Sequence, residues 1–264
     1  MMRALWTAAS GMKAQQLNID TISNNLANVN TTAYKKQRVE FKDLLYEQVT
    51  NKSIEEGQGR PVNLEIGYGV MPMGTLRSFG KGNLEQTNND TDFAIDGDGF
   101  FEVRDENDNL FYTKDGSFKL SVVDDEARLV TSEGYFVQAE GADIELGSDI
   151  KELTVSPEGI INVKRKGEED FEEIGQMTLV RFPNPAGLEA IGQNLYKVTN
   201  ASGEAIEAED GDAGIIKQGF LESSNVSVVE EMVKMITAQR AYEINSKSIQ
   251  TADQMLEQAN NLRR

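Results

Sequence analysis

Residue types that commonly perform chemistry are scarce in this chain. It contains no Cys and no His, so it lacks the strongest nucleophile and the commonest general base among the side chains. Ser10 and Lys13 have the Ser-x-x-Lys spacing of an acylating serine, but the companion Ser-Asp-Asn and Lys-Thr-Gly motifs are missing from the sequence. We therefore predict no catalytic, cofactor-binding or metal-binding residue, and we expect that the chain is not an enzyme.

One acidic run resembles the start of a calcium-binding loop. Residues 105–109 read Asp-Glu-Asn-Asp-Asn, but Leu110 stands where the loop needs Gly, and Gly116 stands where it needs Glu. A solvated hairpin tip is the favoured interpretation. The carboxylates of residues 124–125 and 168–170 are likewise typical of solvated turns. A calcium- or carbohydrate-binding β-module on a coiled-coil stalk stays open as an alternative function.

The balance of charge excludes some partners. The 264 residues include 26 Lys and Arg against 44 Asp and Glu, which gives a net charge of −18. A chain this acidic is repelled by nucleic acid and by anionic membrane surfaces. It contains no apolar run of about 18 residues, so we expect no transmembrane helix. The short apolar stretch at residues 4–9 continues into a longer helical pattern, and we expect no cleaved signal peptide.

Apolar side chains recur every seven residues near both ends of the chain. Such a stripe predicts a helix whose narrow apolar face must be covered by another helix. Polar residues at companion positions, Gln15 and Asn245, weaken this seam, so we expect neighbouring subunits to order the helices. An intramolecular helical hairpin stays open as the alternative. The predicted assembly residues are Leu5, Met12, Ile19, Ile22, Leu26 and Val29 in the first helix, and Val228, Met235, Tyr242, Ile249 and Leu256 in the second.

Between the helices the sequence changes character twice. Phe41, Leu44, Leu45 and Tyr46 form a short apolar cluster at helical spacing, and residues 50–69 are polar and rich in Gly, as in a long arm. From about residue 70 to 219, short β-type runs flank turn signals at residues 96–99, 115–116 and 156–159. This pattern predicts an all-β sandwich or small barrel.

The predicted fold class is α+β, with long terminal helices that pair as a coiled-coil-like assembly domain around a central all-β domain. The expected segments are an N-terminal helix at 1–34 and a connecting segment with an extended arm at 35–75. The all-β domain follows at 76–218, and a C-terminal connector and helix occupies 219–264.

Several motifs occur in the order found in one protein family. The run from residue 23 to 35 resembles the N-terminal signature of bacterial flagellar rod and hook proteins, and the runs at 219–226 and 239–247 resemble their C-terminal motifs. The resemblance is strongest to distal-rod members. One departure is Ala33, where the family usually has Gly; the turn there is either different or never needed Gly. The signature positions are Asn24, Asn25, Leu26, Ala27, Asn28, Thr31, Tyr34 and Lys35.

The resemblance implies a structural subunit of the distal rod, a rigid helical tube that transmits motor torque to the hook. It implies a location in the flagellar basal body, where the rod crosses the periplasm and cell envelope, and export without a cleaved signal peptide. Implied partners are copies of the chain, proximal-rod and hook-side axial proteins, a surrounding bushing ring and the flagellar export apparatus, with no nucleic acid and no cofactor. The arm at 46–69 is expected to stiffen the shaft. A proximal-rod or hook subunit is the alternative within the family.

Overall fold

The computed structural model describes residues 2–48, 65–123, 126–139, 142–147, 150–167, 170–207 and 214–261. An N-terminal helix, a central region of strands and a C-terminal helix follow one another, which confirms the expected mixture of helix and strand. The chain divides into two compact units. The helical unit contains Met1–Ala27, Gln37–Arg77 and Ser227–Arg264, and the β-unit contains Asn28–Lys36 and Ser78–Val226. Most of the predicted arm, at 49–64, lies outside the described residues, as do residues 124, 125, 168 and 169.

Two long helices form most of the helical unit. Helix α1 spans Met2–Ala27 and helix α2 spans Val228–Asn261. Their 26 and 34 residues correspond to about 39 and 51 Å at 1.5 Å per residue. Glu230 and Glu231 lie in the first turn of α2, where carboxylates interact favourably with the helix dipole. The two helices pack against each other.

A ribbon of four strands in two antiparallel pairs completes the helical unit. Its strands are β1 (Gln37–Asp43), β2 (Tyr46–Gln48), β3 (Glu65–Gly67) and β4 (Val70–Arg77); β1 pairs with β4 and β2 with β3, both antiparallel. The helical spacing of Phe41 and Tyr46 was therefore misleading, because both residues lie in strands. A short apolar run fits helix and strand equally well, and the distant partner strand decides between them.

The β-unit contains all the remaining strands. They are β5 (Leu84–Gln86), β6 (Phe93–Asp96), β7 (Phe100–Arg104), β8 (Leu110–Thr113), β9 (Lys119–Val123), β10 (Glu126–Val130), β11 (Phe136–Ala139), β12 (Ala142–Asp143), β13 (Ile150–Val155), β14 (Ile160–Arg165), β15 (Glu172–Gln176), β16 (Leu179–Arg181), β17 (Glu189–Gly192), β18 (Leu195–Lys197), β19 (Ile206–Glu207), β20 (Ile215–Gln218) and β21 (Phe220–Glu222). A short 3₁₀ turn spans Pro185–Gly187.

A ten-stranded sheet dominates this unit. Its main path runs β17-β18-β8-β7-β11-β10-β9, with β12 beside β11, β16 beside β7, and β19 beside β16. Strands β13, β14 and β15 form a second sheet, while β6 pairs with β20 and β5 with β21. The turn predicted at 156–159 does join a hairpin, β13–β14, and Gly159 has a φ of +93° there. At the turns predicted at 96–99 and 115–116, by contrast, the flanking strands pair elsewhere: β6 with β20, β7 and β8 with each other, and β9 with β10.

Two apolar clusters form the core of the β-unit. The smaller one is aromatic, with Tyr112 and Phe182 rings 4.9 Å apart in an edge-to-face arrangement. Beside it, the Lys114 ammonium lies 5.1 Å from the Phe100 ring centroid and donates to the Gly97 carbonyl oxygen at 3.1 Å. Burial lowers the pKa of Lys114 to about 8. The larger cluster is centred on Phe93, Phe101, Phe118, Val137, Ile161 and Val163.

Candidate assembly site

The two helices run antiparallel in a fixed register. Near one end, the Asn25 side-chain amide donates to the Glu231 carboxylate at 3.1 Å. Nearer the middle of both helices, a Cβ added to Gly11 would lie 2.8 Å from Nδ2 of Asn245, so Asn245 packs directly over this glycine. Each contact pairs residues whose numbers sum to 256, so the register is constant between them. Gly11 accommodates the Asn245 side chain because it has no Cβ.

The predicted seven-residue stripes lie largely along this helix pair. Ile22 is buried, and Leu5, Met12, Ile19, Leu26 and Val29 are partly buried. In α2, Met235, Ile249 and Leu256 are partly buried, while Val228 and Tyr242 are exposed. Small residues at the companion positions, Ala8, Ala238 and Ala252, are also buried. The stripes thus contribute to a contact within one chain, and their role between subunits stays a prediction.

Asn25 of the family signature joins three elements of the helical unit. Its amide nitrogen donates to the Gln37 carbonyl oxygen at 2.8 Å, and its amide oxygen accepts from the Gln37 N–H at 2.9 Å. The same amide nitrogen reaches Glu231, whose other carboxylate oxygen accepts from Lys234 at 2.7 Å. Asn25 and Glu231 are each only 1% exposed. This arrangement fixes the end of α1 to the start of β1 and of α2.

Lys35 has a matching role in the β-unit. Its ammonium forms a fully buried ion pair with Glu222 at 2.7 Å and donates to the Gly80 carbonyl oxygen at 3.1 Å. The Glu222 carboxylate also accepts from the Gly82 N–H at 2.6 Å. Asn225 bonds the same segments, since it accepts from the Lys36 N–H and donates to the carbonyl oxygens of Ser78 and Gly80. Three stretches of chain are therefore held together by buried polar contacts.

The other signature residues shape the turn that follows α1. Asn28 accepts hydrogen bonds from the Thr31 hydroxyl at 3.2 Å and from the Thr31 N–H at 3.2 Å, and Tyr34 is buried. Ala33 has a φ of +55° and is 1% exposed. The turn therefore has the left-handed conformation that favours Gly, and Ala adopts it here. Asn24 and Ala27 are exposed, and Leu26 is partly buried.

The ribbon is fixed to the first turns of α1. Gly69 lies so close to this helix that an added Cβ would be 2.1 Å from Ser10 Oγ, and its φ is +111°. The Ser10 hydroxyl donates to the Thr7 carbonyl oxygen. The serine of the Ser-x-x-Lys pattern therefore lies at the contact between α1 and the ribbon. Arg3 forms an ion pair with Glu47 at 2.6 Å, and the Tyr68 hydroxyl donates to the same carboxylate. Tyr68, assisted by Arg3, lowers the pKa of Glu47.

The face of α2 opposite the helix seam is also apolar, and the sequence analysis missed it. Val229, Met232, Val233 and Ile236 are all exposed. Their spacing of i, i+3, i+4 and i+7 places them on one side of the helix. Ile244 and Met255 continue this face more sparsely. The spacing of these residues is visible in the sequence, but the prediction of a contact surface was based on the seven-residue series, which lies on the other face of the helix.

Charge is divided unequally between the two units. The helical unit contains 12 Lys and Arg and 12 Asp and Glu, so its net charge is zero. The β-unit contains the remaining 14 basic and 32 acidic residues, and 14 − 32 = −18. The whole net charge of the chain therefore belongs to the β-unit. The helical unit combines exposed apolar side chains with balanced charge, as expected of a surface that contacts other protein.

The acidic run at 105–109 forms the tip of the β7–β8 hairpin. The Asp105 carboxylate accepts from the Glu106 N–H at 2.8 Å and from the Asn107 amide at 3.0 Å, and Asp108 pairs with Arg104 at 3.0 Å. Across the described ranges, acidic side chains do not gather in groups of three or more that could hold a metal ion. In the same ranges, neither helix is apolar enough over its length to span a membrane.

Comparison with known proteins identifies the family. Three family models match: a flagella basal body rod protein model at residues 5–35, a flagellar hook protein FlgE/F/G D1 domain at 94–163, and a flagellar basal body rod FlgEFG protein C-terminal model at 217–262. The flagellar basal-body rod protein FlgG of Borreliella burgdorferi is 51% identical, with 100% of both chains covered. That of Caulobacter vibrioides is 42% identical, with 99% of this chain and 100% of its own covered. The flagellar hook-basal body complex protein FlhP of Bacillus subtilis is 33% identical over 100% of both chains. The chain belongs to the family of flagellar basal-body rod proteins, structural components of the bacterial motility apparatus located in the rod of the basal body.

Proposed function

We propose that this chain is a distal-rod subunit that polymerises into a rigid helical tube and transmits motor torque to the hook. The observation that supports this most directly is the helical unit, which exposes large apolar side chains on α2 and on the ribbon while its charges balance. Covering such surfaces stabilises an assembly by about 25 cal/mol per Å² of apolar area. The proposal includes the expected division into an N-terminal helix at 1–34, a connecting segment with an extended arm at 35–75, a central β-domain at 76–218, and a C-terminal connector and helix at 219–264.

The predicted seam between the terminal helices has a part in the same proposal. Leu5, Met12, Ile19 and Leu26 are only partly covered within one chain, so neighbouring subunits can complete their burial. The coiled-coil-like pairing of α1 and α2 then extends from one subunit to the next. Contacts that do not close into a ring propagate as a helical polymer.

The arm at 49–64 supports the distal-rod assignment over the hook alternative. Its two ends are adjacent, because Gln48 and Glu65 pair across β2 and β3. A segment whose two ends are adjacent can contact a neighbouring subunit without altering the fold of the residues on either side of it. We infer that these contacts stiffen the shaft.

Partners follow from the same assignment. The chain contacts other copies of itself, proximal-rod proteins at one end of the polymer, hook-side axial proteins at the other and a bushing ring around it. It reaches the growing tip through the flagellar export apparatus. A proximal-rod or hook subunit is the second candidate, favoured by the match of residues 94–163 to a domain model that hook and rod proteins share.

Electron microscopy of cells that lack this chain tests the function. We expect hookless cells with truncated rods. Complete rods with attached hooks would contradict the proposal. Deletion of residues 49–64 then separates the two candidates: a distal-rod subunit should still be secreted but form curved or flexible polymers, whereas a hook subunit should form polymers of unchanged stiffness.

A further inference from the structure

Among the exposed apolar side chains of the helical unit, two separate groups contain the most exposed ones at each end of the helix pair. The first, the α2 patch, consists of Val229, Met232, Val233 and Ile236, each 50 to 72% exposed. The second, the ribbon patch, consists of Met2, Trp6, Leu45, Tyr46 and Tyr68, each 41 to 84% exposed. From these fractions, each patch exposes on the order of a few hundred Å² of apolar surface, which can be compared with the roughly 800 Å² per partner found in stable interfaces.

The start of α1 and the ribbon lie next to each other at the ribbon patch. Arg3 links its two halves, because its guanidinium contacts Glu47 of β2 and lies 6.0 Å from the centre of the Tyr68 ring. Trp6 follows Arg3 by one helical turn, and the Tyr68 N–H donates to the Leu45 carbonyl oxygen at 3.2 Å. The start of α1 and the ribbon thus present their apolar side chains together.

The two patches lie at opposite ends of the helical unit. In the antiparallel register, Ile236 is beside residue 20 of α1 and Val229 is beside residue 27. Trp6 precedes these positions by 14 and 21 residues, which corresponds to about 20 to 30 Å along the helix. One molecule therefore cannot cover its α2 patch with its own ribbon patch.

We propose that the α2 patch of one copy binds the ribbon patch of the next copy, head to tail. This inference rests on the proposed function and names the contact that would build the polymer. A second copy is the favoured occupant because it supplies the missing apolar surface in equal amount, and because the helical unit has no net charge to oppose the approach of its own kind. A contact between two different patches leaves one free at each end, so it continues as an open polymer rather than closing as a dimer.

Two single-patch variants of the full-length chain test the contact. Val233→Asp places a carboxylate in the α2 patch, and Leu45→Asp places one in the ribbon patch. Either carboxylate would have to lose its hydration in the contact, which opposes binding unless the charge is paired or protonated. We expect each variant alone to stay monomeric in analytical ultracentrifugation. An equimolar mixture should form a 1:1 dimer that does not grow, because only one intact contact remains.

The single tryptophan reports which patch is covered. Trp6 is in the ribbon patch, which the Val233→Asp variant keeps intact. This variant is mixed with a Leu45→Asp variant that also contains Trp6→Phe, so that only the Val233→Asp chain has a tryptophan. The emission of Trp6 should shift to shorter wavelength when the two variants bind. Gln254→Asp, an exposed change on the same side of α2 but far from the α2 patch, is the matched control and should polymerise like the wild type. Unchanged circular dichroism of all variants verifies that they fold.

Each contrary outcome has a distinct meaning. Self-association of Leu45→Asp into dimers would show that two α2 patches bind each other, and would overturn the head-to-tail contact. Polymerisation of both variants, or failure of Gln254→Asp to polymerise, would also overturn it. If the wild type polymerises but the mixture stays monomeric, only this inference fails. If the wild type forms no polymer, this inference fails too, and electron microscopy of cells that lack the chain then decides the proposed function separately.

Discussion

The helical unit and the β-unit differ in how much of their apolar side chains a single chain leaves exposed. The β-unit buries two apolar clusters, and its buried polar groups Lys35 and Glu222 have partners within the unit. The helical unit leaves Trp6 and Val229 each 72% exposed and buries mainly small residues between its helices. The β-unit therefore buries a core of large apolar side chains within one chain, whereas the helical unit leaves several of its own exposed.

The division of charge reinforces this difference. With 32 acidic and 14 basic residues, the β-unit keeps copies of the chain apart in solution. The neutral helical unit adds nothing to that repulsion. For the proposed rod subunit, which travels as a monomer and then assembles, this separation is useful because solubility and association depend on different surfaces.

The largest expected effect lies in the β-unit. Glu222→Gln should lower its free energy of unfolding by about 3–5 kcal/mol, since the Lys35 ammonium would be left buried without a counter-charge. The Gly82 N–H would also lose a charged acceptor. Urea unfolding, followed by near-ultraviolet circular dichroism of the aromatic cluster, measures the change.

A charge pair in the helical unit provides the control. Arg240 and Glu243 are 3.2 Å apart, and both side chains are more than half exposed. Glu243→Gln should change stability by no more than about 0.5 kcal/mol. Equal effects of the two substitutions would contradict the expectation that a buried ion pair contributes more to stability than an exposed one.

The second prediction concerns the polar contact that joins the helices. Asn25→Ala should destabilise the helical unit by about 1–3 kcal/mol, because the Gln37 backbone and the buried Glu231 carboxylate lose their partner. Thermal unfolding followed at 222 nm measures it, and the near-ultraviolet signal of the β-unit should stay unchanged. Ser23→Ala, an exposed change two residues away, should have almost no effect. Simultaneous loss of both signals would show that the two units do not unfold separately.

Local patterns in the sequence predicted much of this structure. Both helices, the seven-residue stripes and the β13–β14 hairpin follow from spacing and turn residues within short windows. The pairing of β6 with β20 could not be predicted, because the two strands lie about 120 residues apart and no short stretch of sequence contains both. The same reason hid the partners of Asn25 and Lys35, which lie 206 and 187 residues away. The signature residues were found by resemblance, but their roles required the fold.

The α2 patch was missed for another reason. Its four residues have helical spacing that any window shows, yet α2 has apolar residues on two faces. Periodicity cannot say which face meets α1 and which remains exposed. Here the small companion residues Ala238 and Ala252 mark the inner face, since they allow α1 to approach closely. Residue size was thus the usable signal.

Salt separates the contributions of the two units to assembly. Added salt shortens the Debye length from about 10 Å at 0.1 M to about 3 Å at 1 M. Repulsion between acidic β-units weakens accordingly, while apolar contacts do not. We expect the critical concentration for polymerisation to fall about tenfold, equivalent to about 1.4 kcal/mol. Sedimentation of polymer across a salt series measures it. A rise in critical concentration would mean that ion pairs, rather than apolar patches, hold the polymer together.

The smallest effect is expected at Ala33, where opposing contributions nearly cancel. Ala33→Gly relieves a left-handed conformation that costs a non-glycine residue about 1 kcal/mol or more. It also removes a buried methyl group worth about 0.8 kcal/mol and gives the unfolded chain more freedom. The net change in the free energy of unfolding should stay within about 0.5 kcal/mol. Ala94 is buried to the same degree but lies in strand β6, so Ala94→Gly brings no relief and should cost about 1–2 kcal/mol. Urea unfolding of both variants gives the comparison. Equal losses would mean that Ala33 is not strained, and that its left-handed turn is favoured by the packing around it.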